Sequence, residues 1–565
     1  MIRVAAAQFA VTNNVNDNLT TCLRMIKEAA KCAPDLIVLP EFVNHNSWYD
    51  NHAHCYDVSI ALDGDFVNSI RAAAIEAKAY VVFNATVQRP GKGERQTTGT
   101  SLLISPSGEL LAQNNKQVLV GHENDFLDIA DTEGPIIDTP IGRLAMYSCM
   151  DGVINETPRG LALRGAQILC NSLNSFALDE GNLHIPVRAA ENKVFIVAAN
   201  KVGPLIPEPL LVPVSEATNI PLHFLSGAGD SQIVAPDGTV LAMAGKSEEV
   251  IWADIDPELA DIKTRPDGTD IVKQRRPELY QTLGDNPSTQ PLPQFNGALD
   301  LNVAAISVSS TGTEAINEAV NAVQANQQHK LICLPELFWL ADAQLLGIKD
   351  AEAQLAIGEE AVNRLATACA PDQFVATSVI RQHGDQLAHC AVLISHRGIE
   401  FIQGQVHHCE RFAWSGLCDS FGVYDSIHGK LALILEDDAI YPESFRLIAM
   451  QGCEVVLAPV RQQEAWQSQT GLLERASENR VNLVSASTQP QDNVICIMQK
   501  EFTIMTPWQE RKFDGLLSAG IQVSGKVDSN ITCATIHPRA AHNKVCSQNT
   551  DLIKNRPWKL MQAML

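Results

Sequence analysis

An internal repeat constrains this chain more than any other feature of its sequence. Gly142–Cys149 has a counterpart in Gly429–Glu436, and Arg188–Asn192 has one in Arg475–Asn479, both at an offset of 287 residues. Leu39-Pro40-Glu41 returns as Leu334-Pro335-Glu336, in the same order along the chain. A repeat of this length predicts a tandem duplication, and therefore two domains of one fold.

The expected domain boundaries follow from this repeat. Residues 284–298 are rich in Pro, Asn, Gly and Gln, a composition typical of a linker. We therefore predict a first domain over residues 1–283 and a second domain over residues 299–565. Each is long enough to bury a full hydrophobic core.

Composition excludes several classes of partner. The 565 residues carry a formal net charge of −23, which disfavours nucleic acids and anionic membranes as partners. The 14 cysteines occur singly, without a CxxC pair or a zinc-type cluster, as in a reducing cytoplasm. No signal peptide and no run of membrane-spanning length is visible, so we expect a cytoplasmic protein.

The first copy places a cysteine at a position suited to chemistry. The apolar run Leu144–Tyr147 predicts a buried strand that ends at Ser148, and a helix is expected to open near Asn155-Glu156. Cys149 therefore lies in the turn after a strand, where backbone N–H groups point into a crevice and a thiol can act as a nucleophile. The alternative is a buried structural cysteine, which is the commoner case.

Two other ionisable residues share this kind of placement. Glu41 ends the predicted strand Asp35–Leu39, and Lys116 follows a predicted hairpin over Thr100–Leu111. Glu123 comes seven residues after Lys116. Exposed loop charges are the alternative interpretation for all three residues.

Together these motifs resemble the nitrilase superfamily of carbon–nitrogen hydrolases. The resemblance rests on Glu41, Lys116 and Cys149 with Glu156 seven residues later. It extends over about 280 residues to later motifs: Arg188–Asn192, Ser226–Ser231 and Arg275–Tyr280. It implies an α/β fold, a four-layer αββα sandwich. It also implies that the two tandem copies pack as an intramolecular pseudo-dimer, with further homo-oligomers open.

The resemblance also implies roles for individual residues. Cys149 is the expected nucleophile, and Glu41 the expected acid and base. Lys116 and the backbone N–H of Met150 are expected to stabilise the oxyanion. Glu123 and Glu156 are supporting residues in this scheme. The family scheme implies neither a metal nor an organic cofactor.

The second copy departs from this pattern at the positions where the reaction would take place. Glu436 replaces the cysteine, and the lysine position falls near Val406-His407-His408, while Glu336 is kept. We therefore predict a degenerate, non-catalytic second site. The alternative is that Glu336, Glu436 and the histidines form a new acid/base or metal site.

Cys149-Met150-Asp151-Gly152 is most similar to the Cys-x-Asp-Gly of amide-cleaving members. We therefore expect an amidase that releases ammonia from a small primary amide through a Cys149 thioester. An N-carbamoyl-amide hydrolase and a nitrilase are the alternatives, and an inert binding or scaffold protein is the alternative from another class. Side chains near Asn171–Glu180 and in Pro204–Phe224 are expected to select the acyl group.

Overall fold

The computed structural model describes residues 1–290, 293–341 and 347–565, and the chain divides into two compact units. The first unit consists of residues 1–262, 501–518 and 545–564. The second unit consists of residues 263–500 and 519–544 with Leu565.

The first unit contains two six-stranded sheets. Its strands are β1 (Ile2–Gln8), β2 (Leu36–Val38), β3 (Tyr80–Gln88), β4 (Thr97–Ile104), β5 (Leu110–Asn115), β6 (Ile137–Thr139), β7 (Gly142–Ser148), β8 (Ile168–Ser172), β9 (Phe195–Ala199), β10 (Gln232–Val234), β11 (Val240–Met243) and β12 (Glu249–Ile255). One sheet has the order β12-β1-β2-β3-β4-β5, and the other has the order β11-β10-β9-β8-β7-β6. The predicted hairpin before Lys116 is confirmed as β4 and β5.

Helices lie between the strands of the first unit along the chain. They are α1 (Val15–Ala29), α2 (His52–Val58), α3 (Asp65–Ala77), α4 (Glu123–Phe126), α5 (Met150–Val153), α6 (Glu156–Leu163), α7 (Ile185–Asn192) and α8 (Leu211–Thr218). One turn of π-helix over Glu180–His184 runs directly into α7.

Successive side chains of a strand point to opposite faces of its sheet and therefore pack in different layers, as strand β1 shows. Val4 and Ala6 lie in the core between the two sheets, whereas Ala5 and Ala7 lie in the core shared with α1 and α3. On the far side, Leu161 of α6 and Ala189 of α7 pack against the outer face of the second sheet. The first unit is therefore a four-layer αββα sandwich, as predicted.

The second unit repeats this architecture over its described residues. Its strands are β13 (Leu301–Ile306), β14 (Leu331–Cys333), β15 (Phe374–His383), β16 (Gln386–Ser395), β17 (Gly398–Gly404), β18 (Tyr424–Ser426), β19 (Gly429–Leu433), β20 (Val455–Pro459), β21 (Asn482–Ala486), β22 (Val494–Ile497), β23 (Ile521–Ser524) and β24 (Ile531–Ile536). Its sheets have the orders β17-β16-β15-β14-β13-β24 and β18-β19-β20-β21-β22-β23. Matched in chain order, these are the strand orders of the first unit.

The helices of the second unit complete its layers. They are α9 (Gly312–Ala325), α10 (Ile348–Ala353), α11 (Leu355–Ala368), α12 (Glu436–Ala439), α13 (Pro442–Met450) and α14 (Leu472–Asn479). Apolar residues of α9 and α11 pack on the outer face of the first of its sheets, and α14 contacts β21 and β22 of the other.

The compact units do not follow the division by sequence copy. The predicted linker, residues 284–298, falls within the second unit, and residues 291–292 of it lie outside the described residues. Residues 263–283 also belong to the second unit. Conversely, residues 501–518 and 545–564 belong to the first unit, because Phe502, Trp508 and Phe513 share an apolar cluster with Ile206 and Leu225. The last strands, β25 (Val545–Ser547) and β26 (Thr550–Asp551), form a small hairpin there.

In the part of the chain that the structure describes, no helix combines the length and the apolar character needed to cross a membrane.

Candidate active site

A buried lysine joins two carboxylates in the first unit. Glu41 follows β2, Lys116 follows β5, and Glu123 begins α4. The Lys116 Nζ lies 2.8 Å from Glu41 Oε1 and 2.8 Å from Glu123 Oε2. All three side chains are almost completely buried, so the structure brings these predicted site residues together out of contact with solvent.

Burial and pairing act in opposite directions on these groups. Burial raises the pKa of Glu41, although the Lys116 ammonium opposes this shift. Burial also lowers the pKa of Lys116, but Glu123 and Glu41 outweigh it and hold that pKa well above its usual value. Lys116 therefore stays positively charged, while the raised pKa of Glu41 makes it a better proton acceptor than an ordinary carboxylate.

Cys149 lies at the end of β7, one residue before α5. Its backbone has φ +47° and ψ −110°, a conformation that costs a non-glycine residue about 1–3 kcal/mol. The Cys149 backbone N–H donates to Ser172 O at 3.1 Å, which ties this turn to the end of β8. The sharp turn at the predicted nucleophile is therefore built into the sheet edge.

The thiol of Cys149 lies beside the charged groups of the site. The side chain is 8% exposed and lines a cavity. Burial raises the pKa of Cys149 well above its usual value, and the nearby Glu41 charge adds to this effect, while Lys116 opposes it. A thiol in this state needs a base to remove its proton before it can attack a substrate.

Glu180 is a site residue that the sequence analysis did not single out. Its Oε1 lies 3.8 Å from Cys149 Sγ, and its Oε2 has no hydrogen-bond partner among the described residues. Burial raises the pKa of Glu180 to about 8. The only sequence signal was its position at the end of Asn171–Glu180, the segment expected near the acyl group.

Asp151 is a second residue that the sequence analysis left without a role. Its carboxylate accepts hydrogen bonds from the backbone N–H groups of Gln117 and Val118 at 3.0 and 2.8 Å, and from Ser148 N at 3.3 Å. Asp151 therefore fixes the segment after Lys116 to the turn that holds Cys149.

A second buried lysine, Lys201, was also missed. Its Nζ has no hydrogen-bond partner within the described chain, and burial lowers its pKa to about 7. Lys201 therefore carries less positive charge at neutral pH than Lys116 does.

Two further predicted residues begin the helices that follow Cys149. Met150 is the first residue of α5, and its side chain lines the cavity. Glu156 is the first residue of α6 and is fully buried. Arg188 forms a buried ion pair with Glu191 at a distance of 2.9 Å.

The cavity in front of Cys149 has a volume of about 460 Å³. Both segments expected to select the acyl group line it, through Phe176 and Asn174 in one and Leu205 and Ile206 in the other. Residues 501–518 and 545–564 also contribute to its wall. No motif in the sequence predicts this contribution.

Residues 3–263 match the sequence profile of the carbon–nitrogen hydrolase family. The chain contains a carbon–nitrogen hydrolase domain. Its relatives include a nitrilase of Pyrococcus abyssi, 27% identical over 46% of this chain and 92% of the relative. Omega-amidase NIT2 of Bos taurus is 28% identical over 49% of this chain and 96% of the relative.

Among solved structures, the amidase of Nesterenkonia AN1 from the nitrilase superfamily is similar to half of the chain. The sequence identity is 22% and the TM-score is 0.41, over 50% of this chain and 96% of that chain.

The second unit differs from the carbon–nitrogen hydrolase domain at the corresponding positions. Asp438 accepts hydrogen bonds from Val406 N and His407 N, just as Asp151 accepts them from Gln117 N and Val118 N. This match places Gln405 at the position of Lys116. The position equivalent to Lys116 is therefore occupied by Gln405, which carries no charge.

Two arginines pair with the carboxylates at the corresponding site of the second unit. Arg411 lies 3.0 Å from Glu336 and 2.7 Å from Asp437, and Arg265 lies 3.0 Å from Glu436. All five side chains are buried. The left-handed turn of Cys149 is also lost, because Glu436 has no positive φ and is instead the first residue of α12.

In the part of the chain that the structure describes, neither His407 nor His408 pairs with Glu336 or Glu436, as the alternative interpretation supposed. His407 instead contacts Asp438 at 2.7 Å and Tyr280. Asp267, Cys409 and Asp437 do bring ligand-type atoms within 4.8 Å of one another. Asp437 is already neutralised by Arg265 and Arg411, which disfavours a cation there.

Proposed function

We propose that the first unit is a thiol amidase that releases ammonia from a primary amide. The observation that carries the proposal is the buried Lys116, held between Glu41 and Glu123 beside the thiol of Cys149. Hydrolysis of an amide needs a nucleophile, a proton carrier and a stabilised oxyanion, and these three side chains are suited to those roles.

The reaction follows from the protonation states. The neutral Cys149 thiol gives its proton to Glu41 as Sγ bonds to the carbonyl carbon. The Lys116 ammonium and the Met150 backbone N–H then hold the negative oxygen. Protonated Glu41 returns the proton to the amide nitrogen, the C–N bond breaks, and ammonia leaves a thioester on Cys149. Glu41 next takes a proton from water as the water oxygen bonds to the thioester carbon. The carbon–sulfur bond then breaks, Glu41 returns the proton to Sγ, and the carboxylic acid leaves the regenerated thiol.

Relatives favour an amide as substrate without selecting the acyl group. The relatives named above include an omega-amidase and a nitrilase. The Cys-x-Asp-Gly sequence at Cys149 favours the amide, and a nitrilase is the second candidate. No feature of the cavity specifically favours an N-carbamoyl-amide substrate.

We further propose that the second unit is catalytically inactive and that the two copies serve as an internal pair. The arginine-filled cluster of Glu336, Glu436 and Asp437 supports inactivity. Pairing of the copies, further oligomers and a cytoplasmic location remain predictions from the sequence.

The test is a product analysis with purified full-length protein. Pentanamide, pentanenitrile and an N-carbamoyl amino acid are each incubated with the protein, and ammonia, carboxylic acid and carbon dioxide are quantified. The amidase proposal expects ammonia and pentanoic acid in equal amounts from pentanamide. Hydrolysis of only the nitrile would instead favour a nitrilase, and hydrolysis of only the carbamoyl compound would favour an N-carbamoyl-amide hydrolase. An absence of all products would favour an inert binding or scaffold protein.

A further inference from the structure

The wall of the cavity beyond the reacting groups is mostly apolar. Trp48, Phe176 and Ile206 come from the body of the first unit, and Ile504 and Leu517 come from residues 501–518. A volume of about 460 Å³ is roughly fifteen times the 30 Å³ that one water molecule occupies in the liquid. The cavity therefore has room for an acyl group much larger than acetyl.

Charge on this wall is scarce. No lysine or arginine lines the cavity among the residues described. The one carboxylate in the lining, Glu123, is paired with Lys116 at 2.8 Å. His122, also in the lining, is hydrogen-bonded through Nε2 to the backbone oxygen of Ser47. Among the residues described, the wall therefore offers neither an ammonium nor a guanidinium group to a second anionic group on a substrate.

We propose that the cavity selects primary amides with an uncharged, apolar acyl group and rejects the monoamides of dicarboxylic acids. This inference rests on the proposed amidase function and names its substrate class. A substrate carboxylate would lose its hydration on entering the cavity without gaining a lysine or arginine as its partner. An apolar chain of the same length gains free energy when the cavity removes it from water, so the cavity binds it more tightly.

A matched pair of substrates tests this selection. Pentanamide and glutarate monoamide have the same five-carbon chain and differ only in a terminal methyl or carboxylate group. We expect kcat/KM to be at least about 100-fold higher for pentanamide, because a buried unpaired charge costs more than one misplaced methylene, which is worth about 10–200-fold. The methyl ester of the monoamide controls for size and should behave like pentanamide.

A variant of the wall tests the same idea from the protein side. Ile504→Lys places a cation in the lining, and we expect the ratio of kcat/KM for the monoamide to that for pentanamide to rise at least about tenfold. Gln509→Lys is the matched control, since Gln509 is an exposed residue of the same segment. Its ratio should remain within about twofold of the wild-type value.

The outcomes separate this inference from the amidase proposal. Preferred hydrolysis of the monoamide would overturn the substrate class and leave the amidase proposal standing. Absence of hydrolysis with every amide would overturn the amidase proposal. In that case, calorimetric binding to Cys149→Ala protein still decides the selectivity: tighter binding of pentanamide supports it, and tighter binding of the monoamide contradicts it.

Discussion

The strained backbone at Cys149 distinguishes the two units at the scale of single residues. A non-glycine residue with φ +47° persists only where its surroundings enforce that conformation. Two sets of contacts enforce it here. The Cys149 N–H donates to the backbone oxygen of Ser172, and the Asp151 carboxylate accepts hydrogen bonds from the backbone N–H groups of Gln117 and Ser148. The second unit keeps the equivalent aspartate, Asp438, but not the strain.

Glu180 gives a pH-dependent prediction. Its pKa of about 8 means that Glu180 is neutral at lower pH and gains a negative charge 3.8 Å from Cys149 Sγ above pH 8. That charge opposes formation of the thiolate, so we expect kcat/KM to fall on the alkaline side with a midpoint near pH 8. Glu180→Gln should shift this fall to higher pH, as measured by pH profiles of amide hydrolysis.

Other titrating groups need a control in this experiment. Glu41, Lys116, Asp179 and His184 also act on Cys149 or Glu180. Lys201 has a pKa of about 7 and loses its charge over a similar range, so Lys201→Met is measured in parallel. An alkaline fall that is unchanged in Glu180→Gln and lost in Lys201→Met would assign the effect to the lysine.

At the scale of elements, the arginine cluster of the second unit is held together by charge. Arg411 contacts Glu336, Glu436 and Asp437, which follow β14 and begin α12. Burial raises the pKa of Glu336 to about 8, while Arg411 opposes this shift. The guanidinium therefore compensates several buried acids at once.

Removing this guanidinium gives a stability prediction. Arg411→Met should lower the free energy of unfolding of the second unit by about 3–5 kcal/mol, because buried carboxylates lose their partner. The loss should increase as pH rises from 6 to 8, because the uncompensated acids bind protons in the folded state and have lost them in the unfolded state. Urea unfolding at both pH values measures it.

Arg397→Met is the matched control for this experiment, since the Arg397 side chain is 67% exposed in the same unit. Its unfolding should change by less than about 1 kcal/mol. Equal effects of the two substitutions, or a loss that shrinks as pH rises, would contradict the role given to Arg411.

At the scale of the whole molecule, each compact unit includes residues from both sequence copies. Ile504, Leu517 and Ser547 lie in the wall of the cavity although they belong to the second copy by sequence. Arg265 belongs to the cluster around Glu436 although it lies before the predicted linker. Neither half of the sequence therefore contains all the residues of its own unit.

This arrangement predicts the outcome of truncation. Residues 1–290 produced alone should retain less than about 1% of the amidase activity, because part of the cavity wall is missing and the apolar cluster around Ile206 and Leu225 is uncovered. Co-production with residues 291–565 is the control and should restore activity. A fully active, monomeric fragment 1–290 would contradict the prediction.

The sequence predicted much of this molecule for identifiable reasons. Apolar runs predicted individual strands, and the repeat predicted two domains of one fold. The resemblance to the nitrilase superfamily implied the four-layer sandwich and the roles of Glu41, Lys116 and Cys149. Glu180 was not predicted because its contact with Cys149 depends on a π-helical turn, which no residue pattern marks. Residues 501–518 and 545–564 belong to the second copy by sequence but pack in the first unit. The repeat did not predict this, because it shows which segments are related and not which hydrophobic core they join.

The most direct test of the account compares two substitutions at equivalent positions of the repeat. Ammonia release from the best amide is measured for wild type, Cys149→Ala and Glu436→Gln, with thermal unfolding to verify that each variant is folded. We expect Cys149→Ala to lose at least about 1,000-fold in kcat and Glu436→Gln to stay within about threefold of wild type. Retained activity in folded Cys149→Ala, or an equal loss in folded Glu436→Gln, would contradict a single active thiol site in the first unit.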